Sequence, residues 1–282
     1  MRSLPAAGRR PLLALDVDGT LLTASGVLTP RTRDALRAAD REAWAIALVT
    51  GRPLPQVLPL VRELGVGEFV VAANGATVAE IESGRVIYQA SLPGFLVADA
   101  LARARRAVPG LRLAVTTSRA FHAEPGFDQL APLTRDVAVV VDDAAPRPDD
   151  DVHSTVLFVL GGDTATLLAE VHAVVPSGVD VSPSGLPGSV ELTPPGVHKG
   201  RGVARLCARL GVDRLDVVAV GDGLNDHEML TWAGRGVAMG NADRATKLLA
   251  DEVTASNDDD GVALLVERLL GESADAHRSV TA

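Results

Sequence analysis

Short apolar runs alternate with segments of helical spacing at both ends of the chain. Residues 12–15, 45–49 and 69–73 are continuous apolar runs, the pattern of strands covered on both faces. Between them Thr29-Pro30 supplies an N-cap followed by a proline in the first turn, which predicts a helix to about Ala39, and residues 54–64 predict a second helix. This alternation specifies a parallel sheet with helices on its faces. The rhythm returns after residue 199, where Val203, Leu206, Cys207 and Leu210 form one apolar stripe of a helix over 199–210. A strand at 217–220 follows, then a helix around 226–232, a strand at 236–239, a helix from Ala242 and a last helix over about 261–270.

Residues of about 80 to 190 break this rhythm. Short β-type runs at 86–88, 111–116, 137–141 and 152–160 mix with helices near 95–107 and 164–174. The expected organisation is α/β: a Rossmann-like parallel-sheet core formed by residues 1–80 and 191–282, carrying an inserted α+β unit at 81–190. Its junctions are expected near Glu82-Ser83-Gly84 and in the proline- and glycine-rich stretch 183–195. Residues 1–10 and 272–282 are polar or small and read as loose ends. There is no internal repeat.

Composition narrows the function. The 282 residues carry 27 Lys plus Arg against 36 Asp plus Glu, a net charge of −9, which argues against nucleic acid as a partner. Two stretches, 142–151 at −4 and 251–260 at −5, account for all of that excess, so the rest of the chain is balanced. Apolar residues make up 47%, ample for a buried core. Only eight residues are aromatic, which advertises no stacking platform and favours a ligand held by charge and hydrogen bonds. Cys207 is the single cysteine, so no intrachain disulfide or cysteine metal cluster is possible; its place in the apolar stripe makes it core rather than nucleophile. With no apolar run near the ~20 residues of a membrane span, a cytoplasmic protein without membrane partners is expected.

The chemistry gathers at strand ends. Asp16-Val17-Asp18-Gly19-Thr20 leaves the first strand, where an open parallel sheet places its ligand crevice. Two carboxylates there suit an oxygen-ligated divalent cation, with an Asx-rich turn as the plain alternative. Gly221-Asp222-Gly223-Leu224-Asn225-Asp226 repeats the arrangement after the strand at 217–220. If the two strands are neighbours, Asp16, Asp18, Asp222 and Asp226 converge and repel unless a cation intervenes. Thr50-Gly51-Arg52 ends the second strand with a hydroxyl, backbone amides and a guanidinium suited to phosphoryl oxygens. Lys199 opens a helix, against the macrodipole, which a nearby anion or the aspartates would explain.

Taken together, these segments resemble the haloacid dehalogenase superfamily of phosphohydrolases, specifically its Cof-type branch with a large α/β cap. Asp16-Val17-Asp18-Gly19-Thr20 matches the first motif, Thr50-Gly51-Arg52 the second, Lys199 within Glu191-Leu192-Thr193-Pro194-Pro195-Gly196-Val197-His198-Lys199-Gly200 the third, and Gly221 to Asp226 the fourth. Asn74-Gly75-Ala76 also matches a segment typical of that branch.

The resemblance implies that Asp16 is a nucleophile forming an aspartyl-phosphate and that Asp18 serves as acid and then base. It implies Mg²⁺ held by Asp16, the backbone carbonyl of Asp18, and Asp222. Thr50 and Lys199 would bind the phosphoryl group with Gly51 and Arg52 beside them, while Asn225 and Asp226 would orient metal waters and Lys199. Asp18 favours phosphate-ester hydrolysis over dehalogenation, because a halide leaves without a proton. A phosphomutase shares the first half-reaction, and a phospho-acceptor regulator shares the arrangement of acids, hydroxyl and lysine in less than half this length. The substrate expected is a small phosphorylated metabolite, sugar-phosphate-like because aromatics are scarce. Candidate contacts from the insertion are Arg105, Arg112, Arg119, His122, Arg135 and His153.

Overall fold

The structure is a computed structural model that describes residues 10–117, 120–131 and 139–280, with the backbone alone described over 273–280. Two sheets organise it. In the first, β1 (Leu12–Asp16), β2 (Ala45–Val49), β3 (Phe69–Ala72), β13 (Val217–Gly221), β14 (Arg235–Ala238) and β15 (Glu252–Val253) run parallel. The strand order is β15-β14-β13-β1-β2-β3, continued by antiparallel β4 (Thr77–Glu80) and β5 (Val86–Gln89).

Both faces of this sheet are covered, which is why its strands are apolar without alternation. Leu13, Leu15, Ile46 and Leu48 pack with α1 (Pro30–Arg41), α2 (Leu54–Leu64) and α9 (Gly261–Val280) on one side. Leu12, Ala14, Ala45 and Ala47 pack with α6 (Lys199–Leu210) and α7 (His227–Trp232) on the other, and a short α8 (Arg244–Leu249) lies between β14 and β15 in the chain. Cys207 belongs to that second cluster, and burial pushes its thiol up to about 12, as expected of a core residue rather than a nucleophile.

The second sheet has the order β11-β12-β10-β7-β8-β9, with β6 (Leu92–Pro93) also on β10. Its strands are β7 (Arg112–Thr117), β8 (Phe121–Ala123), β9 (Val139–Val140), β10 (Asp151–Phe158), β11 (Asp180–Pro183) and β12 (Ser189–Thr193). Helices α3 (Gly94–Ala107) and α5 (Thr164–His172) cover it through Val97, Leu101, Leu167 and Val171, and a short α4 (Phe127–Leu130) follows β8. This mixed cap on a parallel-sheet core is the α/β class the sequence pattern predicts.

Three expectations are corrected. The run at 86–88, expected in the insertion, is in the first sheet: Ile87 and Tyr88 pack against the core, and Tyr88 lies 3.9 Å beneath the Arg205 guanidinium of α6. Ser83 and Gly84 therefore sit in the connection from β4 to β5, and the chain leaves the first sheet only after Gln89. The stretch 183–195 is no linker, because all five residues of β12 are buried and the strand pairs with β10 on one side and β11 on the other; its prolines flank that strand. Residues 272–280 continue α9, a segment free of proline and glycine after Gly271 in which helix propensity needs no apolar stripe. Residues 137 and 138 of the expected strand at 137–141 lie outside the described residues.

A close approach sets the position of α6. Gly202 faces Val71 and Gly75 so tightly that a Cβ would lie 2.5 Å from Val71 Cγ1 and 2.7 Å from Gly75 Cα. Gly75 itself has φ +97° and abuts the His198 carbonyl oxygen. Gly202→Ala is expected to lower stability by up to about 2 kcal/mol, since an overpacking cost of about 1–3 kcal/mol outweighs the gain of ~1 kcal/mol in helix propensity. A urea midpoint equal to the parent's or above it would contradict this packing.

Candidate active site

The parallel register brings the sequence-predicted residues to one edge. β1 lies between β13 and β2, with Leu15 beside Val220 and Asp16 beside Val49, so Asp16, Thr50 and Asp222 emerge together. The chain winds from β1 to β2 and β3 in one direction and to β13 and β14 in the other, which opens a crevice between β1 and β13.

Lys199 enters this crevice from the first turn of α6. Its Nζ, 1% exposed at the side chain, donates to Asp16 Oδ1 and to Asp226 Oδ1, each at 2.6 Å. Burial alone would depress the ammonium, but the charges and hydrogen bonds of Asp16 and Asp226 hold it above its ordinary value. Asp226 is fully committed: its Oδ2 accepts from the amides of Asp222 and Gly223, each at 3.0 Å. These bonds wrap the loop after β13 around Asp226.

Oxygens of Asp16, Asp222 and Asp226 lie within 4.8 Å of one another. Burial, with Asp226 and Asp222 adding to it against the pull of Lys199, raises Asp16 well above the usual carboxylate range. Burial and Asp226 likewise push Asp222 up to about 6. Asp222 is held by Thr20 Oγ1 at 3.1 Å and Asn241 Nδ2 at 3.3 Å, and Asn241 also donates to the Gly19 carbonyl at 2.8 Å. Gly19, at φ +79°, packs so closely on the Asp222 carboxylate that no Cβ would fit. Three acids facing one ammonium, all with oxygen donors, fit a divalent cation such as Mg²⁺; with Asp226 committed, Asp16 and Asp222 are the carboxylates left to hold it.

The Asp18 carboxylate stands apart from this cluster. It is about half exposed and receives the Arg52 guanidinium in a two-point pair, Nε to Oδ2 at 2.8 Å and Nη2 to Oδ1. Thr50 is buried, and its Oγ1 accepts from the Arg52 amide at 3.1 Å. Asn225 Nδ2 donates to Asn74 Oδ1 at 3.0 Å, and Gly51 packs against the same asparagine side chain.

Asn74 leads to a group with no predicted role. Its Nδ2 donates to Glu191 Oε2, and Ser154 Oγ of β10 donates to Glu191 Oε1 at 3.0 Å. Glu191 thus joins the two sheets through buried hydrogen bonds. Its sequence neighbourhood is apolar and proline-rich, so only the fold shows what it meets. Asn241 could have been found, because it follows β14 at the same sheet edge as the other residues.

Arg105, Arg112, His122 and His153 do not border the cavity beside this site. Arg105 pairs with Glu124 and with Asp143 at 3.3 Å, and Arg112 donates to the Pro125 carbonyl. Arg119 and Arg135 lie outside the described residues. The cavity itself has a volume of about 890 Å³ and reaches from Asp16, Asp18 and Asp222 to the face of the second sheet.

A parallel sheet with an acid-lined switch point, capped by an inserted mixed sheet, defines a haloacid dehalogenase-like hydrolase. The family model of that description matches residues 13–266, and the chain belongs to this family. It is 33% identical over 253 residues to a phosphoglycolate phosphatase of Halorubrum lacusprofundi, covering 90% of this chain and 94% of the relative. It is 30% identical over 262 residues to the 5-amino-6-(5-phospho-D-ribitylamino)uracil phosphatase YitU of Bacillus subtilis, covering 89% and 94%. The solved structure of the subclass IIB sugar phosphatase BT4131 superposes with a TM-score of 0.76 at 25% identity, over 93% of this chain and 99% of that one. The chain is accordingly a phosphatase acting on phosphoric monoesters. No helix among the described residues is long and apolar enough to cross a membrane.

Burial pushes the Glu191 carboxyl up from 4.5 to about 7, against the lowering effect of Asn74, Ser154 and Lys199. Between those values the folded protein keeps a proton that the unfolded chain has released, so this group makes stability fall as pH rises through the window. Glu191→Gln removes the titration and can still accept from Asn74 and donate to Ser154. The variant is expected to gain on the parent by up to about 3 kcal/mol in urea unfolding between pH 4.5 and 8. A difference independent of pH would refute the raised value.

Proposed function

We propose that this phosphatase is Mg²⁺-dependent and hydrolyses small organic phosphate monoesters of sugar-phosphate size through an aspartyl-phosphate on Asp16. The observation that carries the reading is a carboxylate at the end of β1, gripped by Lys199, that borders an 890 Å³ cavity. That volume accepts a phosphorylated metabolite, and BT4131 is named a sugar phosphatase. A reducing, cytoplasmic setting suits the single buried cysteine.

Asp16 and Asp222 carboxylates with the Asp18 backbone carbonyl would hold Mg²⁺. When bound, the cation supplies positive charge that lets a carboxylate approach a phosphate dianion. Lys199 bridges Asp16 and Asp226 in the resting site, offsetting part of their charge, and offers a donor to a transferring phosphoryl oxygen, as does Thr50. A phosphate group offers Arg52 competing acceptors, which loosens its grip on Asp18 and frees that carboxyl for the leaving oxygen.

Asp16 then attacks phosphorus as the bond to the alcohol oxygen breaks, and Asp18 gives the leaving oxygen its proton. In the second half, Asp18 takes a proton from water, water oxygen bonds to phosphorus, and the bond to Asp16 breaks. Inorganic phosphate is released and both aspartates are restored. Asn225 and Asp226 keep the loop after β13 in register with the substrate, through Asn74 and the amides of Asp222 and Gly223.

Asp16→Asn is expected to lower kcat by at least about a thousandfold while leaving the unfolding transition in place. Chelation of divalent cations is expected to stop phosphate release, and added Mg²⁺ to restore it. Parent-like turnover by Asp16→Asn, or full activity in excess chelator, would overturn the corresponding assignment.

A further inference from the structure

Three of the five phenylalanines of the chain meet in the second sheet. Phe121 and Phe127 stand edge to face with ring centroids 5.8 Å apart, and Phe127 lies 5.5 Å from Phe158. Ala114, Ala123 and Val156 complete the buried group, and Leu130, Ala131 and Leu186 pack against it. Phe121, Phe127, Leu130 and Val156 border the same cavity as Asp16. Alternate residues of β7 and β10 face one side of a strand, so Ala114 with Thr116 and Ser154 with Val156 belong to one continuous surface.

Two serines of that surface are committed to protein partners. Ser154 Oγ donates to Glu191, and Ser184 Oγ donates to Ser189 Oγ, whose own proton goes to the Leu186 carbonyl; Thr116 Oγ1 is buried without a hydrogen-bond partner among the described residues. Thr164 Oγ1 accepts from the Gly188 amide and keeps its own proton for a ligand. Among the described residues, the charged side chains bordering the cavity are Asp16, Asp18, Arg52, Asp222 and Asp243, all outside the second sheet. Among the described residues the cavity is therefore charged at the Asp16 end and mainly apolar on the side of the second sheet.

Resting on the phosphatase reading above, we propose that the preferred substrate is a phosphomonoester whose alcohol carries an aromatic or branched apolar body seated against Phe121, Phe127, Leu130 and Val156. A polyol placed there would give up its hydrogen bonds to water and recover few, whereas an apolar body gains by leaving water. The scarcity of aromatics in the composition pointed instead to a sugar phosphate. A count carries no information on whether the few rings cluster.

The test compares 2-phenylethyl phosphate with glucose 6-phosphate in Mg²⁺, because both release a primary alcohol and differ in what the wall would meet. Expected is a kcat/KM at least about tenfold higher for the phenylethyl ester, and at least about a tenfold fall in that ratio for Leu130→Asp. Equal or better turnover of glucose 6-phosphate by the parent would overturn the apolar-substrate inference and leave the phosphatase reading standing. So would turnover of glycerol 3-phosphate with neither larger ester hydrolysed. Failure to release phosphate from any of the three esters would instead overturn the reading on which the inference rests. The parent comparison decides the matter even if Leu130→Asp fails to fold.

Discussion

The buried ammonium of Lys199 is the constraint on which the site depends. Taking it and two carboxylates out of water costs several kcal/mol per ion, and such a group survives only where its geometry and remaining hydrogen bonds are well satisfied. Here Lys199 meets Asp16 and Asp226 at 2.6 Å, and Asp226 spends its other oxygen on two backbone amides. Three segments far apart in sequence are fixed by one charge. The fold supplies the reach: β1 and β13 pair in parallel, and α6 docks its first turn on the bend after β3 because Gly75 and Gly202 leave no side chains between them.

The same constraint explains the division of labour along the cavity. Charge that cannot be neutralised by one lysine is concentrated on Asp16 and Asp222, whose carboxyls burial and their acidic neighbours raise above the usual range. Asp18 escapes that crowding by pointing to Arg52, the guanidinium that the proposed mechanism turns toward phosphate. Beyond Arg52 the character changes to phenylalanine, leucine and valine from the second sheet. In the proposed reading the core sets the reaction, and the cap sets which alcohol is accommodated.

Much of this was legible in the chain before any fold was seen. Strands buried on both faces are apolar throughout, so β1, β2 and β13 stand out, and each ends in the residues that the site uses. Spacing and order of the four motifs then tie Asp16, Thr50, Lys199 and Asp222 together. What was not legible depends on partners far away in sequence. β5 reads as cap until α6 is seen to cover it through Arg205 on Tyr88, and β12 reads as linker because prolines flank its buried residues. Arg105 looks like a substrate contact until Glu124 and Asp143 claim it. Glu191 shows no sign in sequence of its buried bridge to Asn74 and Ser154, and the three clustered phenylalanines are scattered over residues 121–158.

The central claim is that the carboxylate gripped by Lys199 is the one that takes the phosphoryl group. Rapid acid quenching during turnover, followed by borohydride reduction and peptide mass spectrometry, converts an aspartyl-phosphate to homoserine and reads its position directly. The account predicts homoserine at residue 16, with none at residues 18, 222 or 226. Reduction at another aspartate, or none at any while phosphate is being released, would contradict it.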